Sequence, residues 1–93
     1  MQISIPELKK LQNPIIIDIR SVENYNNRHI PGAQNISYTN LLIKPNLYLN
    51  KNDKYYIYCQ HGKTSVGLCN QLNKLGYQTY SIIGGYENWV LEN

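Results

Sequence analysis

Three apolar runs set the pattern of the chain. "IIIDI", residues 15–19, is β-branched and apolar on both faces except at Asp18, which fits a strand covered on both sides. Residues 55–58 and 80–83 repeat that character, and between them the period changes. Ser65, Leu68, Cys69, Leu72 and Leu75 recur at three- and four-residue spacings, an amphipathic helix that Gly76 ends. Near the start, "SIPELKKL" places Ser4 and Glu7 as a capping box with Pro6 in the first turn, so a short helix runs on until Asn13-Pro14. Residues 21–25 read as one helical turn, and "HIPGAQNI" as a turn into a short strand at 35–36. Pro45 interrupts the helical pattern of residues 38–49, predicting a short helix and then a loop. Gly84-Gly85 reads as a turn, and residues 87–91 as a last helix carrying Trp89. Strands alternating with helices through short loops predict one parallel α/β sheet with right-handed crossovers. Ligands in such sheets bind beyond the carboxyl ends of the strands, and Cys59 stands at one such end, directly before a helix.

Composition narrows this picture. The 93 residues suit one small domain spanning 1–93, and 42% apolar content is enough for a core without disulfide staples. No stretch approaches the roughly 18 apolar residues of a membrane span, and no basic segment followed by an apolar core opens the chain, so the expectation is a cytoplasmic protein with no membrane partner. The net charge of +3 is spread over scattered lysines rather than concentrated on one stripe, which argues against nucleic acid.

The candidate chemistry lies in "YCQHGKTS", residues 58–65. A phosphate-binding loop would need a glycine where Ile57 stands inside a strand, so that reading fails. Cys59 and His61, with Cys69 or His29, make only one partial ligand cluster, and no metal or other cofactor is expected. A nucleophile fits better. A strand end followed by a helix start aims successive N–H groups at one centre, an anion nest backed by the helix dipole, and a cysteine there should titrate below the roughly 8.5 of a free thiol. Gly62 gives the loop its turn, Thr64 and Ser65 can add hydroxyl donors, and Lys63 places a positive charge at the rim. Cys69 falls on the apolar face with Leu68 and Leu72 and reads as core. About seven helical residues at roughly 1.5 Å each would separate the two cysteines, so they are not expected to pair.

With "IDIR", "HIPGA", "CQHGKT" and "GGYENW" in this order, the chain resembles the single-domain rhodaneses over residues 3–89. The resemblance implies a five-stranded parallel sheet flanked by helices, and sulfur transfer. Cys59 would take a sulfane sulfur from thiosulfate or a persulfide donor and pass it to a thiol or other nucleophile. The loop residues Gln60, His61, Gly62, Lys63, Thr64 and Ser65 would bind that small sulfur-containing anion. Asp18 and Arg20 match the family's D-x-R and are expected to order the active-site side of the sheet. Asn24 stands where many relatives carry a charged side chain. His29, with Pro31-Gly32, is expected to shape a turn, and Trp89 to anchor the last helix. Phosphatases of the dual-specificity cell-cycle type share the fold, but their loop is one residue longer and ends in an arginine. Ser65 occupies that place here, which argues against phosphatase or arsenate reductase activity. A persulfide carrier that docks a sulfur-relay protein needs the same loop and stays open beside the enzyme.

Overall fold

The computed structural model describes residues 1–93, in which five short strands form one wholly parallel sheet. In chain order the elements are β1 (Gln2–Ile3), α1 (Ile5–Lys9), β2 (Ile15–Asp18), α2 (Val22–Asn27), β3 (Gln34–Asn35), α3 (Tyr38–Ile43), a 3-10 turn (Pro45–Leu47), β4 (Lys54–Tyr58), α4 (Lys63–Lys74), β5 (Gln78–Ile82) and α5 (Gly85–Leu91). The strand order β1-β5-β4-β2-β3 puts β4 at the centre, so the residue that follows it emerges mid-sheet.

The alternation of side chains along each strand divides the core in two. Ile17, Tyr55 and Ile57 face α3 and α4, where Leu41, Leu68, Cys69 and Leu72 meet them. Ile16, Tyr56, Tyr58 and Ile82 face the other way, against Ile5 and Leu8 of α1 and the half-buried Tyr86 and Trp89 of α5. Cys69 is fully buried, and burial pushes its thiol up from the ordinary range, as suits a core residue. Trp89 packs on this second core with the Lys9 ammonium over its ring.

The local signals explain most element ends. Ser4 and Glu7 form the capping box reciprocally, and Ser21 and Ser37 cap α2 and α3 in the same way from their hydroxyls. The last helix starts at Gly85, inside the expected Gly84-Gly85 turn, with Gly84 as its N-cap, and two other boundaries and one strand also differ from the pattern. Helix α1 ends at Lys9 rather than continuing to Asn13-Pro14, and the chain turns there with Asn13 at a φ of 50°. Pro45 does end α3 but also opens a 3-10 turn, because a first-turn position has no use for the missing N–H. Strand β1 lay outside the apolar pattern altogether. It is tied to β5 through Ser81 N–H to Met1 O and Ile83 N–H to Ile3 O.

Asp18 and Tyr58 are register partners on β2 and β4 and are both fully buried. The Tyr58 hydroxyl donates to Asp18 Oδ2 at 2.5 Å and accepts the Ile30 N–H at 3.1 Å. Burial, and then the bond to Asp18, raise its titration far above that of a free tyrosine. Tyr58→Phe would leave the Ile30 donor unpaired and the carboxylate one partner short. It should cost about 1–3 kcal/mol in urea unfolding; a midpoint matching wild type would contradict this account of the pair.

Candidate active site

Cys59 follows β4 at the carboxyl edge of the sheet and is only 7% exposed. Its burial is the polar kind that a nest provides. The N–H groups of Gly62 and Ser65 point at Sγ from 3.2 and 3.4 Å, and Ser65 Oγ lies 3.4 Å away. Burial alone would raise the thiol's titration, but the Ser65 hydroxyl and the N–H groups of Ser65, Gly62 and Thr64 outweigh it and hold Cys59 below the ordinary value. Ser65 Oγ in turn lies 2.6 Å from Ser81 Oγ on β5. When Sγ is ionised, Ser65 donates to it and Ser81 donates to Ser65, so the hydroxyl nearest the sulfur is itself oriented.

The peptide planes of the loop are set by α5. Tyr86 N–H donates to Cys59 O at 2.9 Å and Glu87 N–H to Gln60 O at 3.0 Å. The first turn of a helix has no internal acceptors for these donors. These bonds anchor the first two peptide groups of the loop to α5, and the N–H groups that reach Sγ come from the later residues Gly62, Thr64 and Ser65. The approach is close. A Cβ on Gly85, whose φ is 64°, would stand 2.4 Å from Cys59 O, and one on Gly62, with φ at 91°, would stand 2.9 Å from Gly84 N. Only residues without a side chain fit at this contact.

Arg20 supports the loop through a side-chain contact. Its guanidinium forks onto Asp18, with Nη2 2.8 Å from Oδ2 and Nε bonded to both carboxylate oxygens. It lies over the Tyr86 ring, 4.1 Å from the centroid, and Nη1 donates to Gln60 Oε1 at 3.3 Å. Asp18 also accepts the Arg20 backbone N–H at 2.7 Å. The D-x-R pair thus forms a buried fork at this edge of the sheet and reaches the loop through Gln60.

The remaining loop residues separate. Gly62, Ser65 and the backbone of Thr64 converge on Sγ, while the Lys63 and Thr64 side chains are exposed at the start of α4. The exposed His61 pairs with Glu87, Nδ1 to Oε2 at 2.5 Å. Asn24 is exposed on α2. His29 stacks on Tyr25 and bonds its carbonyl, shaping the turn before Ile30. Ser81, Gly85 and Glu87 belong to the site and were not singled out beforehand. A lone serine in the apolar 80–83 run was the one available sign of Ser81. Neither surface cavity of the fold includes a loop residue; both adjoin Leu11 and Pro14.

A stabilised thiolate in a ring of N–H donors can attack an electrophilic sulfur and hold an added anionic one. The Rhodanese-like domain family model matches residues 4–92. The chain belongs to the rhodanese-like family. Among its rhodanese-like relatives, the thiosulfate sulfurtransferase GlpE of Coxiella burnetii is 34% identical over 87 residues, covering 89% of this chain and 78% of the relative. The human single-domain sulfurtransferase TSTD1 superposes with a TM-score of 0.86 at 26% identity, covering 99% of this chain and 96% of that one. The putative sulfur carrier protein YrkF of Bacillus subtilis is 32% identical over 76 residues, which is 81% of this chain and 40% of the relative. Sulfurtransferase activity is thus the family's established chemistry.

Gly85→Ala tests how the rhodanese-like loop is shaped. The added methyl must displace the Cys59 and Gln60 carbonyls, so alkylation of Cys59 at neutral pH should slow on the order of 10²-fold while the protein stays folded by circular dichroism. Alkylation at the wild-type rate would show that α5 does not set the nest.

Proposed function

We propose that this chain is a cytoplasmic thiosulfate sulfurtransferase that works through a persulfide on Cys59. The observation that carries the reading is the convergence of the Gly62 and Ser65 N–H groups on Sγ. The thiolate attacks the outer sulfur of thiosulfate; the S–S bond breaks and its electron pair leaves with sulfite. Cys59 then carries one extra sulfur, whose charge falls within the same ring of donors. An acceptor nucleophile attacks that outer sulfur and returns the thiolate. Lys63 at the open start of α4 steers the dianionic donor, and the Thr64 hydroxyl lies on the same approach. Gln60 serves by fixing the loop to Arg20, and Asp18 supports Arg20.

The cytoplasmic part of the reading rests on a chemistry that needs Cys59 as a reduced thiolate, which a reducing compartment maintains. No helix is long and apolar enough to cross a membrane. A carrier role in a sulfur relay is the second reading, favoured by the likeness to a putative sulfur carrier.

Turnover of thiosulfate with cyanide as acceptor should be abolished by Cys59→Ser and retained in Cys69→Ser. Full activity of the first variant would remove Cys59 from the mechanism. Wild-type protein inert to thiosulfate, yet loaded by a protein persulfide donor, would favour the carrier.

A further inference from the structure

We propose that His61, oriented by Glu87, is the base that takes the proton of an acceptor thiol, so that the site is built for neutral thiols as sulfur acceptors; this rests on the Cys59 persulfide reading. His61 lies two residues beyond the nucleophile, yet none of the bonds to Sγ comes from it, and its side chain is 67% exposed. Cys59 has no need of it, since backbone N–H groups and Ser65 already stabilise its thiolate. A group arriving from solvent is a different matter: it meets the rim on which His61 stands.

The pairing decides which ring nitrogen is available. Nδ1 sits 2.5 Å from Glu87 Oε2, and a carboxylate only accepts, so Nδ1 carries the hydrogen. In the neutral ring Nε2 is then an open lone pair, the form a general base requires. Glu87 is fixed to the same unit as the nucleophile, because its N–H bonds Gln60 O while the Tyr86 N–H bonds Cys59 O. The backbone that carries Glu87 is therefore tied to the loop that carries the sulfur. An ion pair as exposed as this one contributes little to stability, so folding does not account for it. The other charge on this part of the loop is Lys63, exposed two residues on, which attracts anions but cannot accept a proton.

The step balances. The acceptor R–SH gives its proton to His61 Nε2 as its sulfur attacks the outer sulfur of Cys59–S–S⁻. The bond between the two sulfurs of the persulfide breaks, and its electron pair stays on Sγ as the thiolate held by the nest. The proton on His61 passes to the departing R–S–S⁻. In sum, R–SH and Cys59–S–S⁻ become R–S–SH and Cys59–S⁻. Sulfite, fully ionised at mildly alkaline pH, has no proton to lose and draws no benefit from a base.

The test loads wild type, His61→Ala and Glu87→Gln with thiosulfate, removes the excess, and follows single-turnover discharge at mildly alkaline pH. One sample of each receives sulfite and another 2-mercaptoethanol. The ratio of thiol to sulfite discharge rates should fall on the order of 10²-fold in His61→Ala and less in Glu87→Gln, with added imidazole restoring part of the loss in the former. Equal slowing with both acceptors, or an unchanged ratio, would overturn the inference and leave the persulfide reading intact. A wild type that takes up no sulfur would overturn both.

Discussion

Two hydrogen bonds from the first turn of α5, Tyr86 N–H to Cys59 O and Glu87 N–H to Gln60 O, govern the active loop. They hold the first two carbonyls of the loop against α5 and so anchor its start, and the N–H groups of Gly62, Thr64 and Ser65 further on converge on Sγ. The contact tolerates no side chain at Gly62 or Gly85, so backbone geometry that would be unfavourable elsewhere is enforced by packing on both sides. The lowered titration of Cys59 follows from that arrangement without a neighbouring cation: no lysine or arginine is needed at Sγ when three N–H groups and a hydroxyl already point there.

The loop is also supported by charge, through Gln60. Asp18 and Arg20 form a buried pair, and isolated pairs of this kind gain little net stability, because desolvation offsets attraction. Here the pair is surrounded by partners: the Tyr58 hydroxyl and Arg20 N–H on the carboxylate, Gln60 and two aromatic rings on the guanidinium. Such a network has one satisfied arrangement, which defines where Gln60 sits and so which way the loop leaves β4. Helix α5 and Arg20 thus meet at Gln60, one holding its carbonyl and the other its side chain.

Much of this was legible beforehand, for reasons that particular residues make plain. The runs around Ile17, Ile57 and Ser81 stand out because interior parallel strands are apolar on both faces, and the change of period after Gly62 marks α4 unmistakably. Cys59 was identifiable because it stands at that change. Strand β1 was not, since two residues carry no period, and its existence depends on the free edge of β5. The limit of α1 at Lys9 was hidden for a similar reason: Leu11 continues an apolar pattern that the turn at Asn13 overrides. Within the site, Gly62, Ser65 and the D-x-R pair announced themselves, whereas Ser81, Gly85 and Glu87 act through contacts 16 to 26 residues from their partners. Side chains whose role is to orient another residue leave no local pattern.

The central claim is that this nest accepts a single sulfur atom on Cys59, and intact-protein mass spectrometry after brief exposure to thiosulfate tests it most directly. Wild type should gain the mass of one sulfur, lose it again on addition of cyanide, and show neither change as Cys59→Ser. A wild-type protein with a reduced, alkylatable Cys59 that gains no mass would contradict the account.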